Sequence, residues 1–138
     1  MEMMIQSLKD LTSNILETMF FLTQETEPYE KKNCYKYAVT IRDQKVDLVI
    51  MFCEQTASLM TENFIGSDEI TEQDIHDTLK ESINIIAGNF MPKAIPDFAN
   101  KIRIPEMITN LNSIKEESYH SALLYYREEP LKILLKLE

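Results

Sequence analysis

Basic residues are the minority in this 138-residue chain: 14 Lys and Arg stand against 23 Asp and Glu, for a net charge of −9. A field of that sign opposes a phosphate backbone, and nothing more basic than Lys31-Lys32 interrupts it. Neither nucleic acid nor an anionic membrane surface is therefore an expected partner. Long apolar runs are missing too. The longest, Leu48-Val49-Ile50-Met51-Phe52-Cys53, is far short of the ~20 residues of a membrane helix. Glu2 and Asp10 stand where a secretion signal would be basic, and no apolar stretch follows them, so a cytoplasmic setting is expected.

Histidine, cysteine and glycine are equally scarce, at two each. Cys34 and Cys53 lack a C-x-x-C spacing, and His76 and His120 lie far apart. No zinc ligand set is recognisable, and no metal site is expected. A hairpin centred between Asp43 and Gln44 would set the two cysteines opposite each other, so a cross-strand disulfide is geometrically open. Nothing marks the chain for export, however, and free thiols are the expectation. With only Gly66 and Gly88 available there is no phosphate-cradling loop and no nucleophile elbow, and Ser82 has no His or Asp at a recognisable spacing. Nucleotide hydrolysis and covalent catalysis are set aside on those grounds.

What is present fits a single domain spanning residues 1–138. Hydrophobic residues make up 44% and charged ones 27%, a globular rather than a disordered composition. Ile5, Leu8, Leu11, Ile15, Met19 and Leu22 recur at helical steps and predict an opening helix. The period then changes to two. Tyr35, Tyr37, Val39 and Ile41, followed after Arg42–Lys45 by Val46, Leu48, Ile50 and Phe52, predict a β-hairpin. Val49 and Met51 on its other face imply cover there as well. A helix over 54–65 should end at Gly66. Thr71, three residues before Asp74, should open a long helix that Pro92 stops. Period two returns in Lys101–Ile104, Tyr119–Arg127 and Leu131–Leu137, the last two parted by Glu128-Glu129-Pro130. The order α-β-β-α-α-β-β-β predicts an α+β fold, with helices packed on a largely antiparallel sheet.

The long helix carries the functional signal. At about 100° per residue, Ile75, Leu79, Ile83, Ile86 and Phe90 form a buried stripe. Asp77, Glu81, Asn84 and Gly88 then cluster on the opposite side. A solvated helix face accounts for the carboxylates. Asn84 and Gly88 are another matter, because both are poor mid-helix residues and Gly alone costs about 1 kcal/mol relative to Ala. A helix with such an outer face suits close approach by a partner. Glu81 and Asn84, three apart, stand side by side on it.

The segment Asp77-Thr-Leu-Lys-Glu81-Ser-Ile-Asn84-Ile-Ile-Ala-Gly88-Asn89 resembles the signature helix of the CheC/CheX/FliY group of chemotaxis phosphatases. Ile15-Leu-Glu-Thr-Met19 is similar to the opening helix of CheX-type members, and Ile102-Arg-Ile-Pro105-Glu-Met-Ile108 to the strand after the signature helix. A single signature helix is nearer to CheX than to CheC, which carries two. The resemblance implies a CheC-like fold and removal of phosphate from the aspartate of a CheY-type receiver domain. It implies Asn84 as the group that orients the attacking water and Glu81 as the group that docks on the receiver's lysine. Gly88 would admit the receiver backbone, with Asn89 beside it, and Asp77 is weighed between a partner contact and plain solvation. No cofactor of its own is implied, Mg²⁺ being supplied in the receiver, and CheX relatives imply a homodimer through the final hairpin. The alternative is a non-catalytic module that binds a receiver or a flagellar-switch component on the same face. His76 is expected on the helix flank as an ordinary surface histidine, and most of the eight methionines as core fillers.

Overall fold

The computed structural model describes residues 1–30, 32–43, 45–95 and 104–137. Its elements are α1 (Glu2–Phe20), β1 (Tyr35–Arg42), β2 (Val46–Cys53), α2 (Glu54–Ile65), α3 (Glu72–Ala94), β3 (Glu106–Ile108), β4 (His120–Tyr126) and β5 (Glu129–Leu137). Two short 3₁₀ turns, Leu111–Ser113 and Glu116–Ser118, lie between β3 and β4. The strands form one sheet in the order β3-β1-β2-β5-β4, every neighbouring pair antiparallel. This is the α+β arrangement expected from the alternation of periods, in the expected order.

One sheet face carries Tyr37, Val39 and Ile41 of β1, Leu48, Ile50 and Phe52 of β2, and Leu131, Ile133 and Leu135 of β5, all in the main core beneath the three helices. Each large aliphatic side chain fully buried there contributes about 1.5–3 kcal/mol. The opposite face holds Ala38, Val49, Met51 and Leu134, covered by Tyr35, Ile108, Leu111, Ile114 and Tyr119. The cover expected over Val49 and Met51 is thus supplied by the stretch that carries the 3₁₀ turns. Thr40 and Tyr119 both donate to Asp47 there, at 2.9 and 2.7 Å.

Three sequence expectations are corrected. In α1 the buried positions are Leu8, Thr12, Ile15, Leu16 and Phe20, and Met19 is exposed. The true period drifts past Met19, and the helix closes where Phe21 turns left-handed at φ 56 and donates to the Leu16 carbonyl. Pro92 does not end α3, which runs on to Ala94. A proline costs a helix the bond to the carbonyl four residues earlier and crowds that carbonyl. Here that residue is Gly88, the one most able to let its carbonyl tilt away. The third strand pairs Glu106, Met107 and Ile108 with Thr40, Val39 and Ala38. Of the strand expected at Lys101–Ile104, residues 101–103 lie outside the described residues, and Ile104 precedes β3 unpaired with any strand.

The cysteines are joined rather than free: Cys34 and Cys53 form a disulfide, with Cα atoms 5.2 Å apart. The hairpin centre lies one step beyond the one that would set the two cysteines directly opposite. Pairs such as Val39↔Ile50 centre the hairpin between Gln44 and Lys45. A bulge then takes two steps on β1, from Tyr37 to Tyr35, for one on β2, from Phe52 to Cys53. The extra residue, Lys36, draws Cys34 back within reach of Cys53. It also puts Tyr35 on the face opposite Tyr37, as a one-residue slip must.

The end of β2 and the start of β5 meet at the first turn of α2. Arg127 and Glu128 have φ of 49° and 69° and make the two-residue β4–β5 turn, a type I′ geometry that matches strand twist. Glu129, next in the chain, is buried. Its Oε1 accepts from the Thr56 amide at 2.9 Å and the Thr56 hydroxyl at 2.8 Å. The N-cap of α2 is Cys53, whose side chain makes no cap bond. A carboxylate from another strand serves the helix end instead.

Candidate functional site

The long helix α3 is anchored at its start and along one side. At its start the Thr71 hydroxyl accepts from the Asp74 amide at 3.1 Å, and the Asp74 carboxylate from the Thr71 amide at 2.9 Å. This reciprocal cap fixes where the helix begins. Ile75, Leu79, Ile83, Ile86 and Phe90 are all buried, as the stripe predicted, and Thr78, Ser82, Ala87 and Met91 are buried with them. The rotation of α3 is therefore set by its core side, and its outer face follows from that.

Asp77, Glu81, Asn84 and Gly88 are all exposed, on the side of α3 away from the sheet. They differ in how far they are engaged. Asp77 accepts from Gln73 Nε2 at 2.8 Å, one turn back on the same helix. Asn89, also exposed, donates from Nδ2 to the Ile85 carbonyl at 2.8 Å. It stands about 100° further round the helix than Gly88. Among the described residues the side chains of Glu81 and Asn84 have no hydrogen bond or ion pair. One carboxylate and one carboxamide thus point off the helix side by side with their full bonding capacity unused.

Gly88 completes the face. Its φ is not positive, and a Cβ built there meets nothing within 4 Å. Nothing inside the chain therefore requires a glycine for space. Its carbonyl lacks the usual helical donor, because Pro92 has no N–H to give. That unserved acceptor was readable from the four-residue spacing of Gly88 and Pro92, where the sequence pattern suggests only a helix stop.

The flank of α3 is occupied by structural contacts. His76 lies 3.6 Å from a Glu72 carboxylate oxygen and edge-on to the Tyr37 ring. Tyr37 donates to Glu72 at 2.8 Å. Its hydroxyl pKa is raised, chiefly by burial and then by that carboxylate. Ser82 is buried and donates to the Leu79 carbonyl at 2.7 Å, so it offers no nucleophile. Among the described residues no helix is long and apolar enough to cross a membrane.

A family model described as chemotaxis phosphatase CheX matches residues 39–127, a stretch that runs from within β1 through β4 and holds the whole of α3. The chain belongs to the CheX family. Solved CheX structures share its fold. The CheX protein from Desulfovibrio desulfuricans superposes with a TM-score of 0.69 at 20% identity, over 98% of this chain and 99% of that one. CheX from Vibrio vulnificus gives 0.69 at 15% identity, over 98% and 96%. The CheX–CheY–BeF₃–Mg²⁺ complex from Borrelia burgdorferi gives 0.60 at 13%, over 97% of each chain. No curated protein sequence matches. The CheX match includes Glu81, Asn84 and Gly88, which α3 brings together, and Asn89, which it turns aside.

One cluster escaped the sequence reading. Cys34, Cys53 and Glu129 come together at the start of α2. Glu129 lies 76 residues beyond Cys53 and is brought back only by strand pairing, so no local spacing announces it.

Proposed function

We propose that the chain dephosphorylates the phospho-aspartate of a CheY-type receiver domain, with Asn84 and Glu81 as the reacting face. The observation that carries this reading is the unengaged pair on the outer side of α3, beside a glycine that leaves open space over the helix. Membership of a chemotaxis phosphatase family, and a CheX fold solved in complex with CheY, BeF₃ and Mg²⁺, support it.

The receiver brings its own Mg²⁺ and lysine, which neutralise charge on the phosphoryl group. What this chain adds is a positioned water. A carboxamide can accept one water proton and donate toward its oxygen without changing charge, so Asn84 holds the water in line with the scissile bond. The water oxygen bonds to phosphorus, the bond from phosphorus to the aspartate oxygen breaks, and inorganic phosphate leaves with the water's protons. Glu81 pairs with the receiver's lysine and fixes register. Gly88 lets the receiver backbone come close. Asp77 and Asn89 are rim contacts, since both are partly spent on their own helix. No metal or cofactor of this chain takes part in the reaction.

Loss of phosphate from a phosphorylated receiver, with Mg²⁺ present, tests the reading. Catalytic amounts of the chain should speed the decay, and Asn84→Ala should lower the effect about 100-fold or more while receiver binding persists. Loss of binding together with activity would make Asn84 a contact residue. Binding without any acceleration would favour the silent receiver- or switch-binding module.

We also propose a homodimer, through β4. The final hairpin was expected to offer both its strands, but β5 lies between β2 and β4 and only β4 presents an edge. Glu25 bridges that edge at Tyr125, which leaves its earlier residues for a two-fold pair. A sedimentation mass of one chain at micromolar concentration would exclude it.

A further inference from the structure

Three metal-ligating groups meet far from the outer face of α3. Cys34 precedes β1, Cys53 ends β2, and Glu129 opens β5; one ligand atom from each lies within 4.8 Å of the other two. Cys53 and Glu129 are buried, and Cys34 is half-buried. The sheet itself holds them together. Tyr35 pairs with Cys53, Phe52 with Leu131, and Tyr126 with Glu129 across a two-residue turn. These are main-chain pairings of the sheet, separate from the sulfur–sulfur bond.

We propose that in its reduced state the chain binds a zinc-class divalent ion through Cys34, Cys53 and Glu129, and that the disulfide is the closed form of this site. Two thiolates and a carboxylate are a zinc-type donor set. Ligand atoms around one tetrahedral ion stand roughly 3.5–3.8 Å apart on ordinary bond lengths. From within 4.8 Å, Glu129 therefore has to close by no more than about 1 Å, while the sulfurs separate from their bonded distance. Half-buried Cys34 has the room to turn. One carboxylate oxygen, Oε1, is held by the amide and hydroxyl of Thr56, which orients the group as an outer-shell donor would. Oε2 stands outside those two bonds. The Pro130 carbonyl lies 3.6 Å from Cys53 Sγ, a further oxygen at the edge of the site.

Reduction by a dithiol or a phosphine delivers two electrons. The sulfur–sulfur bond breaks and each sulfur takes a proton, from the dithiol as it closes to its own disulfide, or from a water that gives its oxygen to the phosphine oxide. The entering ion then displaces the two thiol protons as two metal–sulfur bonds form. Oxidation removes two of the three ligands at once, which makes occupancy of the site a function of redox poise.

The test uses the full chain, reduced anaerobically with a phosphine, freed of it, and assayed for two thiols. Titration with Cd²⁺, read by its thiolate charge-transfer band, should saturate at one ion per chain and reverse with Zn²⁺. The oxidised chain, Cys34→Ser and Cys53→Ser should lose the band. Glu129→Gln keeps an oxygen for Thr56 to donate to, and should weaken binding at least ~10-fold, the lower range for losing even an outer-shell partner. A folded, reduced chain without the band would overturn the proposal. So would undiminished affinity in Glu129→Gln, or thiols that cannot be freed without unfolding. Should Glu129→Gln fail to fold, X-ray absorption of the Zn²⁺-loaded parent chain decides: mixed sulfur and oxygen neighbours support the site, and either element alone refutes it.

Discussion

Replacing Gly88 by alanine should make the protein more stable and less active. The residue sits inside α3 without a positive φ, and a Cβ there meets nothing within 4 Å. The folded state gains no clash and the unfolded chain loses freedom, so the helix should gain about 1 kcal/mol. That is roughly a fivefold shift in the folding equilibrium, or about 3–4 °C in Tm for a domain of this size. The new methyl group projects from the face that carries Glu81 and Asn84. If a receiver's backbone packs there, one extra methyl in a tight contact costs about 1–3 kcal/mol, or ~5- to 150-fold in kcat/KM. Urea unfolding at unchanged m-value reads the first effect, and decay of a phosphorylated receiver reads the second. A more stable variant with full activity would refute close approach at Gly88. A less stable one would refute the stability gain and show that the relief Gly88 gives to the crowding from Pro92 outweighs its helix penalty.

Other consequences concern the core and the alkaline range. The Tyr126 hydroxyl is buried, with the Ser13 side chain as its polar neighbour, but the two do not meet in hydrogen-bond geometry, so Tyr126→Phe should raise stability by about 1 kcal/mol; a loss in denaturant titration would show that Ser13 serves it. Tyr119 and Tyr126 both have pKa values pushed up to about 12, chiefly by burial and, for Tyr119, next by its bond to Asp47. Unfolded tyrosine titrates near ~10. Their contribution to stability is complete below that pH and is lost as pH rises through about 12. Thermal unfolding followed from pH 9 upward should show this decline, shallower in Tyr126→Phe; equal slopes for the two proteins would remove Tyr126 from the account.

Much of this architecture could be read from the chain because each element carries its own period. The hairpin Tyr35–Phe52, the helix closing at Gly66 and the long helix with its Thr71–Asp74 cap are local statements, and local chemistry decides them. The outer face of α3 was legible for the same reason: rotation follows from Ile75, Leu79, Ile83, Ile86 and Phe90, which the core takes. What escaped depends on distant partners. A bulge at Lys36 has no signature of its own, yet it moves Tyr35 to the other face and brings Cys34 to Cys53. Glu129 looked like part of a polar break between strands, and only the folded sheet shows it capping α2. Pro92 read as a stop because the tolerance supplied by Gly88, four residues earlier, was not credited.

The position of β5 bears on how this protein is made. β5 is the last strand in chain order, yet it lies between β2 and β4, and Glu129 at its start caps a helix formed 73 residues earlier. While the chain emerges from the ribosome, β2 has one edge open and α2 an unserved first turn. Both wait until β5 arrives. The β1–β2 hairpin and the helices can form early, but the sheet closes only through contacts of long sequence separation, which are slow to form. An open β2 edge rich in Val, Ile, Leu and Phe invites pairing with the wrong chain in the meantime. Trimming residues from β5 should therefore show first as aggregation during synthesis, before any effect on the finished fold is measured.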